Sequence, residues 1–154
     1  MSVIPKSPVQ VALKKRTAPT KYIVVHCSAS GPNSTWGWKE INQMHVRDNG
    51  WSSIGYHVVI KRDGTIEAGR PLDTVGAHAA PINSESVGVC LVGGLNGSRK
   101  DPIGKNFTKE QEVSLVAVLK ELAALYPDAK IIGHHDVANK ECPAFDVKAW
   151  WTNL

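Results

Sequence analysis

The sequence has few cysteines and no long apolar run. Its three cysteines are an odd number at wide spacings, Cys27, Cys90 and Cys142, which excludes the disulfide framework of a small secreted module. No apolar stretch is long enough for a signal-peptide core or a membrane span, so we expect synthesis to end in the cytoplasm. The chain also lacks internal repeats and low-complexity tracts.

The composition indicates an ordinary globular domain. A chain of 154 residues, 42% hydrophobic and 21% charged, is long enough to bury roughly two thirds of its unfolded surface around one core. The formal net charge of +4 mildly favours acidic partners, but it is too small to indicate nucleic-acid binding. We therefore expect no direct nucleic-acid partner.

Prolines and basic residues divide the chain near residue 20. Residues 1–20 contain three prolines and no sustained periodicity, which predicts a flexible basic N-terminal arm. Residues 21–154 then form the single domain. Within it, the order strand, helix, hairpin, strand, helix, strand, helix predicts an α/β fold with a central mixed β-sheet flanked by helices.

Individual segments support that order. Residues 22–25 are a β-branched apolar run, and residues 36–48 have helical periodicity that ends at Asn49-Gly50. Asp63-Gly64 lies between two β-prone runs and predicts a tight hairpin. Thr108 and Gln111 form a capping-box pattern before a helix that ends near Pro127. Short strands are predicted at 87–92 and 130–133, and a short helix after Asp146.

Five of the six histidines lie at or near predicted strand ends or in the adjoining loops, where a sheet commonly positions a site. They are His26, His57, His78, His134 and His135. The sixth, His45, lies on a predicted helix, and we assign it to packing or to the surface.

A zinc site is one interpretation of these residues. Zinc prefers imidazole and thiolate ligands, and a catalytic site uses three of them and leaves one position open. His26, one of His134 and His135, and Cys142 could supply that set, but each could equally be a buried structural residue. Neighbours in an extended segment point to opposite sides, so only one of His134 and His135 can face a given site. Cys27 and Cys90 are expected in the core.

Five segments carry a resemblance to a known family. They are residues 25–29 (VHCSA), 55–57 (GYH), 60–65 (IKRDGT), 88–94 (GVCLVGG) and 134–143 (HHDVANKECP). In order and spacing they resemble the type-2 N-acetylmuramoyl-L-alanine amidases, which are relatives of the peptidoglycan recognition proteins. The resemblance runs from about Lys21 to Trp151, and it implies the α/β fold of that family.

The resemblance implies a role for each matching residue. His26, His134 and Cys142 become the ligands of one zinc ion per chain, and Tyr56 and Lys140 the catalytic residues. His78 matches a histidine that lines the substrate cleft. His57 and His135 are left as supporting or packing residues.

The resemblance also implies an activity and its partners. The activity is hydrolysis of the bond between N-acetylmuramic acid and L-alanine in bacterial peptidoglycan, by a monomeric phage endolysin that lyses the host. Such an enzyme is made in the host cytoplasm and reaches the wall after the membrane is permeabilised. Phage members of the family imply the phage RNA polymerase as a second partner. Two alternatives are a non-catalytic peptidoglycan-binding module and a cysteine hydrolase built on Cys142.

Overall fold

A computed structural model describes residues 2–154, which form a five-stranded sheet with helices on both faces. The strands are β1 (Tyr22–Cys27), β2 (Val58–Ile60), β3 (Ile66–Ala68), β4 (Ser86–Leu91) and β5 (Lys130–Gly133). The helices are α1 (Trp38–Asn49), α2 (Ile103–Asn106), α3 (Lys109–Leu125) and α4 (Val147–Thr152). Single 3₁₀ turns occupy Asn83–Glu85 and His134–Asp136.

The sheet is mixed and has the order β3-β2-β4-β1-β5. Strand β1 lies between β4 and β5 and is parallel to both, β2 is parallel to β4, and only β3 is antiparallel. This arrangement confirms the predicted single α/β domain with a mixed sheet. The sequence reasoning missed α2 and the two 3₁₀ turns, which are too short to show a periodicity. Among residues 2–154, no helix combines the length and the apolarity that crossing a membrane requires.

Alternation along β1 assigns its side chains to two layers. Val25 and Cys27 pack in the main core with α3 and Phe145. Val24 belongs to a cluster on the opposite face with Ala79 and Ile132. Because His26 has the same parity as Val24, its ring lies on the face away from α3. The sheet itself therefore separates the main core from the histidines.

The N-terminus of α3 is tied to the strand ends. Thr108 Oγ1 accepts from the Gln111 amide, and Gln111 Oε1 accepts from the Thr108 amide, which confirms the predicted capping box. The fully buried Gln111 side chain also donates to the carbonyls of Ile60 and Val92. These bonds fix the ends of β2 and of the segment after β4, where buried carbonyls need partners.

The first twenty residues contact the domain at several points. Ser2 and Val3 donate to the Glu121 carboxylate on α3, and Ser7 donates to the Gly69 carbonyl. Further along, Lys14 forms a backbone hydrogen bond with the loop after β3. Lys15 forms an ion pair with that loop, and the Arg16 guanidinium donates hydrogen bonds to it. That residues 1–20 form a separate flexible unit stays a prediction.

Candidate metal centre

Three side chains meet at the carboxyl edge of β1 and β5. His26 is in β1, His134 begins the 3₁₀ turn that follows β5, and Cys142 lies in the loop before α4. Their ligand atoms all lie within 4.8 Å of one another. Since β1 and β5 are parallel neighbours, their carboxyl ends share one edge of the sheet, and this brings together residues that are far apart in sequence.

Backbone and ring donors hold Cys142 in place. The Cys27 amide donates to the Cys142 sulfur over 3.1 Å. The Cys142 carbonyl accepts from the His135 amide at 2.9 Å and from the His135 ring nitrogen Nδ1 at 3.2 Å. A peptide N–H aimed at sulfur stabilises a thiolate, so these contacts suit a metal ligand.

The 3₁₀ turn decides between His134 and His135. Alternation applies to an extended segment, but both residues lie in the turn His134–Asp136. His134 joins His26, with ring centroids 4.4 Å apart, while His135 supports the Cys142 backbone. One histidine of the pair thus faces the candidate site, and the cause is the 3₁₀ turn rather than strand alternation.

Burial keeps the clustered imidazoles neutral. Desolvation lowers the pKa of His26 well below its usual value, and the neighbouring His78 adds to the effect. Burial, together with the charge of Lys140, lowers the pKa of His134 to about 4. A neutral imidazole has a free lone pair, so both rings are in the form that binds a metal at neutral pH.

The donor set fits zinc. Two imidazoles and one sulfur are ligands that zinc prefers, and three protein ligands are the number found in catalytic zinc sites. In the metal-free chain, a hydrogen bond with the Cys27 thiol and burial raise the pKa of Cys142. Zinc binding would therefore displace a proton from this thiol.

His26 and His134 line a cleft of about 530 Å³, and the Cys142 sulfur lies within 4.8 Å of their ligand atoms. Tyr56 and Lys140 line it, and the Tyr56 ring centroid lies 5.0 Å from that of His26. Burial raises the pKa of the Tyr56 hydroxyl, so this group is a proton donor at neutral pH. His78 also lines the cleft, and its Nδ1 is 2.9 Å from His26 Nε2. Five of the six residues singled out from the sequence thus line one cleft, and the sixth, Cys142, has its sulfur close to the ligand atoms of His26 and His134.

Sequence reasoning missed part of the cleft wall. His45 is buried against Trp51 and Tyr56, in agreement with the packing role expected for it, but it also lines the cleft. Its Nδ1 accepts from the Gly55 amide at 3.0 Å. Trp51 and Asn83 also contribute to the wall. Only the helical spacing of His45 was visible in the sequence, and that spacing is shared by core residues.

A larger cavity of about 690 Å³ lies elsewhere, between the N-terminal segment, the loop after β3 and α3. Its lining includes Ile4, Leu72 and Tyr126 and none of the three candidate ligands. We place the chemistry in the smaller cleft, because that is where ligand atoms and proton donors converge.

Buried histidines predict that the metal-free protein loses stability in acid. Burial lowers the pKa values of His45, His57 and His134 to about 4, against about 6.5 in an unfolded chain. Between these values the unfolded state binds more protons, so the free energy of unfolding should fall as pH drops from about 6.5 to 4. Urea unfolding at several pH values measures this loss.

His57 offers a variant that tests the cause. It is fully buried, donates from Nε2 to the Thr74 carbonyl and accepts at Nδ1 from the Gly88 amide. Replacing it, as in His57→Gln, should remove one titrating group and reduce the slope of stability against pH by up to one proton. An unchanged slope would show that His57 does not contribute.

Comparison with known proteins identifies relatives over nearly the whole chain. Residues 16–145 match the protein family described as N-acetylmuramoyl-L-alanine amidase. The endolysin of Enterobacteria phage T3 is 49% identical over 137 residues, which cover 89% of this chain and 89% of that protein. The endolysin of Escherichia phage T7 is 48% identical over 142 residues, 92% of this chain and 91% of its own.

Solved structures share the fold. The endolysine N-acetylmuramoyl-L-alanine amidase LysCS from Clostridium intestinale has a TM-score of 0.76 at 29% identity, covering 97% of this chain and 94% of that one. Drosophila PGRP-LB has a TM-score of 0.74 at 24% identity, covering 92% and 84%, and this likeness concerns the fold alone. On the family match and the extended identity to phage endolysins, the chain belongs to the N-acetylmuramoyl-L-alanine amidase family.

Proposed function

We propose that the chain is a phage endolysin that hydrolyses the amide bond between N-acetylmuramic acid and L-alanine in bacterial peptidoglycan, with one zinc ion held by His26, His134 and Cys142. The observation that carries the zinc site is the convergence of the three ligand atoms within 4.8 Å at the edge of the cleft. Membership of the amidase family supports the choice of bond.

Separate observations support the two imidazole ligands and the sulfur ligand. The two imidazoles are kept neutral by burial, and the Cys142 sulfur receives the Cys27 amide. When bound, zinc lowers the pKa of a water in its open position and polarises the scissile carbonyl.

Tyr56 and Lys140 supply the remaining chemistry. Both line the cleft, and the protonated Tyr56 hydroxyl and the Lys140 ammonium are donors for the oxyanion that forms at the scissile carbonyl. Such donors act because they are already oriented when the charge develops. His78 lies further along the same wall, where it contributes to the substrate cleft.

Two alternatives lead to different observations. A non-catalytic binding module has no need of a third metal ligand, and Cys142 supplies one. A cysteine hydrolase would keep its activity after metal chelation, because its nucleophile is the thiolate itself. The sulfur of Cys142 lies with two other ligand atoms rather than beside a single histidine base, which favours the metal.

Several finer predictions accompany the proposal. We expect a monomer that is made in the host cytoplasm and reaches the wall after the membrane is permeabilised. Binding to the phage RNA polymerase, implied by the family resemblance, stays a prediction, and titration of the purified chain into that polymerase would measure it.

Mass spectrometry of digested peptidoglycan tests the function. The expected products have free L-alanine amino termini, and no new reducing sugar ends should form. Chelation should abolish the digestion and added zinc should restore it, with about one zinc per chain in the active protein. New reducing sugar ends would mean a glycosidase and would overturn the proposal.

A further inference from the structure

His78 is joined to His26 on one side and to Ser86 on the other. We propose that His78 is a positioning residue: together with Ser86 it fixes the proton of His26 on Nε2 and leaves His26 Nδ1 free to bind zinc. The inference rests on the zinc site of the proposed function and assigns two residues to its organisation.

The direction of the hydrogen bonds is set at Ser86. The Ser86 hydroxyl oxygen lies 2.8 Å from the Ile82 carbonyl oxygen. Because a carbonyl can only accept, the Ser86 hydroxyl donates its proton to this hydrogen bond. The same oxygen lies 3.2 Å from His78 Nε2 and must therefore accept from it. His78 thus carries its proton on Nε2.

The tautomer of His26 follows from the tautomer of His78. With one proton, on Nε2, His78 has only a lone pair on Nδ1. That atom lies 2.9 Å from His26 Nε2, so His26 must donate from Nε2. A neutral imidazole has a single N–H, which leaves the lone pair of His26 on Nδ1. The tautomer needed for a metal bond through Nδ1 is set before any metal arrives.

The fold holds the His78 ring in this position. A Cβ atom at Gly88 would lie 2.6 Å from His78 Cγ, and one at Gly76 would lie 2.7 Å from His78 Cδ2, so the ring occupies space that only glycine leaves. The backbone is held as well, because Asn83 Oδ1 accepts from the amides of His78 and Ala79. The rings of His78 and His26 meet nearly edge to face, at 82°.

Support of this kind has a measurable value in metal sites. A ligating histidine commonly donates its second N–H to a partner that fixes the ring, and loss of that partner weakens metal binding by about 10–100-fold. Here the partner is itself an imidazole, so its own tautomer must also be fixed. Ser86, which is completely buried, provides that second step.

Tautomers can be measured without metal or substrate. In metal-free full-length protein labelled with ¹⁵N in histidine, long-range ¹H–¹⁵N spectra should show the protons of His26 and His78 on Nε2. In Ser86→Ala, His78 should become a mixture of tautomers or lose part of its Nε2–H population. A proton on Nδ1 of His26 in the wild-type chain would overturn the inference.

Zinc affinity, measured by competition with a chromogenic chelator, provides the second readout. His78→Ala should bind zinc about 10–100-fold more weakly. His78→Asn should recover much of the loss, because its Oδ1 can accept in place of Nδ1. Ser114→Ala is the control, because the Ser114 hydroxyl also donates to a carbonyl, that of Gly64, but Ser114 lies on α3. Equal affinity of His78→Ala and the wild type would contradict the inference.

The two proposals fail in different ways. A wild-type chain that binds no zinc would overturn the zinc site of the proposed function, while the metal-free tautomers still decide the role of His78. If His78→Ala does not fold, the wild-type spectra and Ser86→Ala provide the answer.

Discussion

Replacement of Cys142 by serine should release zinc and reduce peptidoglycan cleavage by roughly a thousandfold or more. A serine hydroxyl is a far poorer zinc ligand than a thiolate, and the metal is expected to supply several kcal/mol of transition-state stabilisation, at about 1.4 kcal/mol for each factor of ten. The Cys27 amide, which donates to the Cys142 sulfur, would also lose its acceptor. Metal analysis and product release from purified walls measure the two effects separately.

Cys90 provides the control for the metal content of Cys142→Ser. It is fully buried in the cluster with Ile41 and Val59 and contributes no ligand atom to the metal group. Cys90→Ala should therefore keep its zinc and lose stability by about 0.5–3 kcal/mol, as is usual for a small core deletion. Full cleavage by Cys142→Ser with no bound metal would overturn the zinc proposal.

Substitution of Tyr56 or Lys140 should instead leave the metal in place. Tyr56→Phe and Lys140→Met are each expected to lower kcat by about 100–1,000-fold, the usual cost of losing one oriented donor to an oxyanion. KM for wall fragments should change little, because the interaction strengthens only in the transition state. Steady-state kinetics and zinc content together test this pattern.

Lys100→Met controls for the loss of a positive charge. Lys100 is exposed, as Lys140 is, but it does not line the cleft. The control should keep kcat near that of the wild type. If Lys140→Met behaves like Lys100→Met, Lys140 is a bystander, and if Tyr56→Phe loses zinc, the tyrosine is structural rather than catalytic.

Sequence reasoning predicted the layers of the fold because its signals are local. The capping box at Thr108, the glycine that ends α1 and the Asp63-Gly64 hairpin depend on residues a few positions apart. Alternation along β1 also separated His26 from Cys27 correctly, since both lie in one regular strand.

The supports of the site could not be predicted in the same way. The Cys27 amide meets the Cys142 sulfur across 115 positions, and no local pattern encodes such a contact. The choice of His134 over His135 depends on a 3₁₀ turn rather than on alternation. The link from His26 through His78 to Ser86 depends on how loops fold over the sheet. The family resemblance supplied the candidate ligands, but not the groups that orient them.

The central position of β1 affects the order in which the sheet and the candidate metal site can form. Strand β1 can pair with β4 and β5 only late in synthesis, because both strands follow it at long range along the sequence. Closing such long loops is slow. During synthesis, His26 emerges long before Cys142, so a nascent or truncated chain holds only an incomplete ligand set. Zinc bound at the proposed site would stabilise the native state by mass action. In the zinc site that we propose, metal loading therefore has to follow the synthesis of Cys142 and the pairing of β1 with β5.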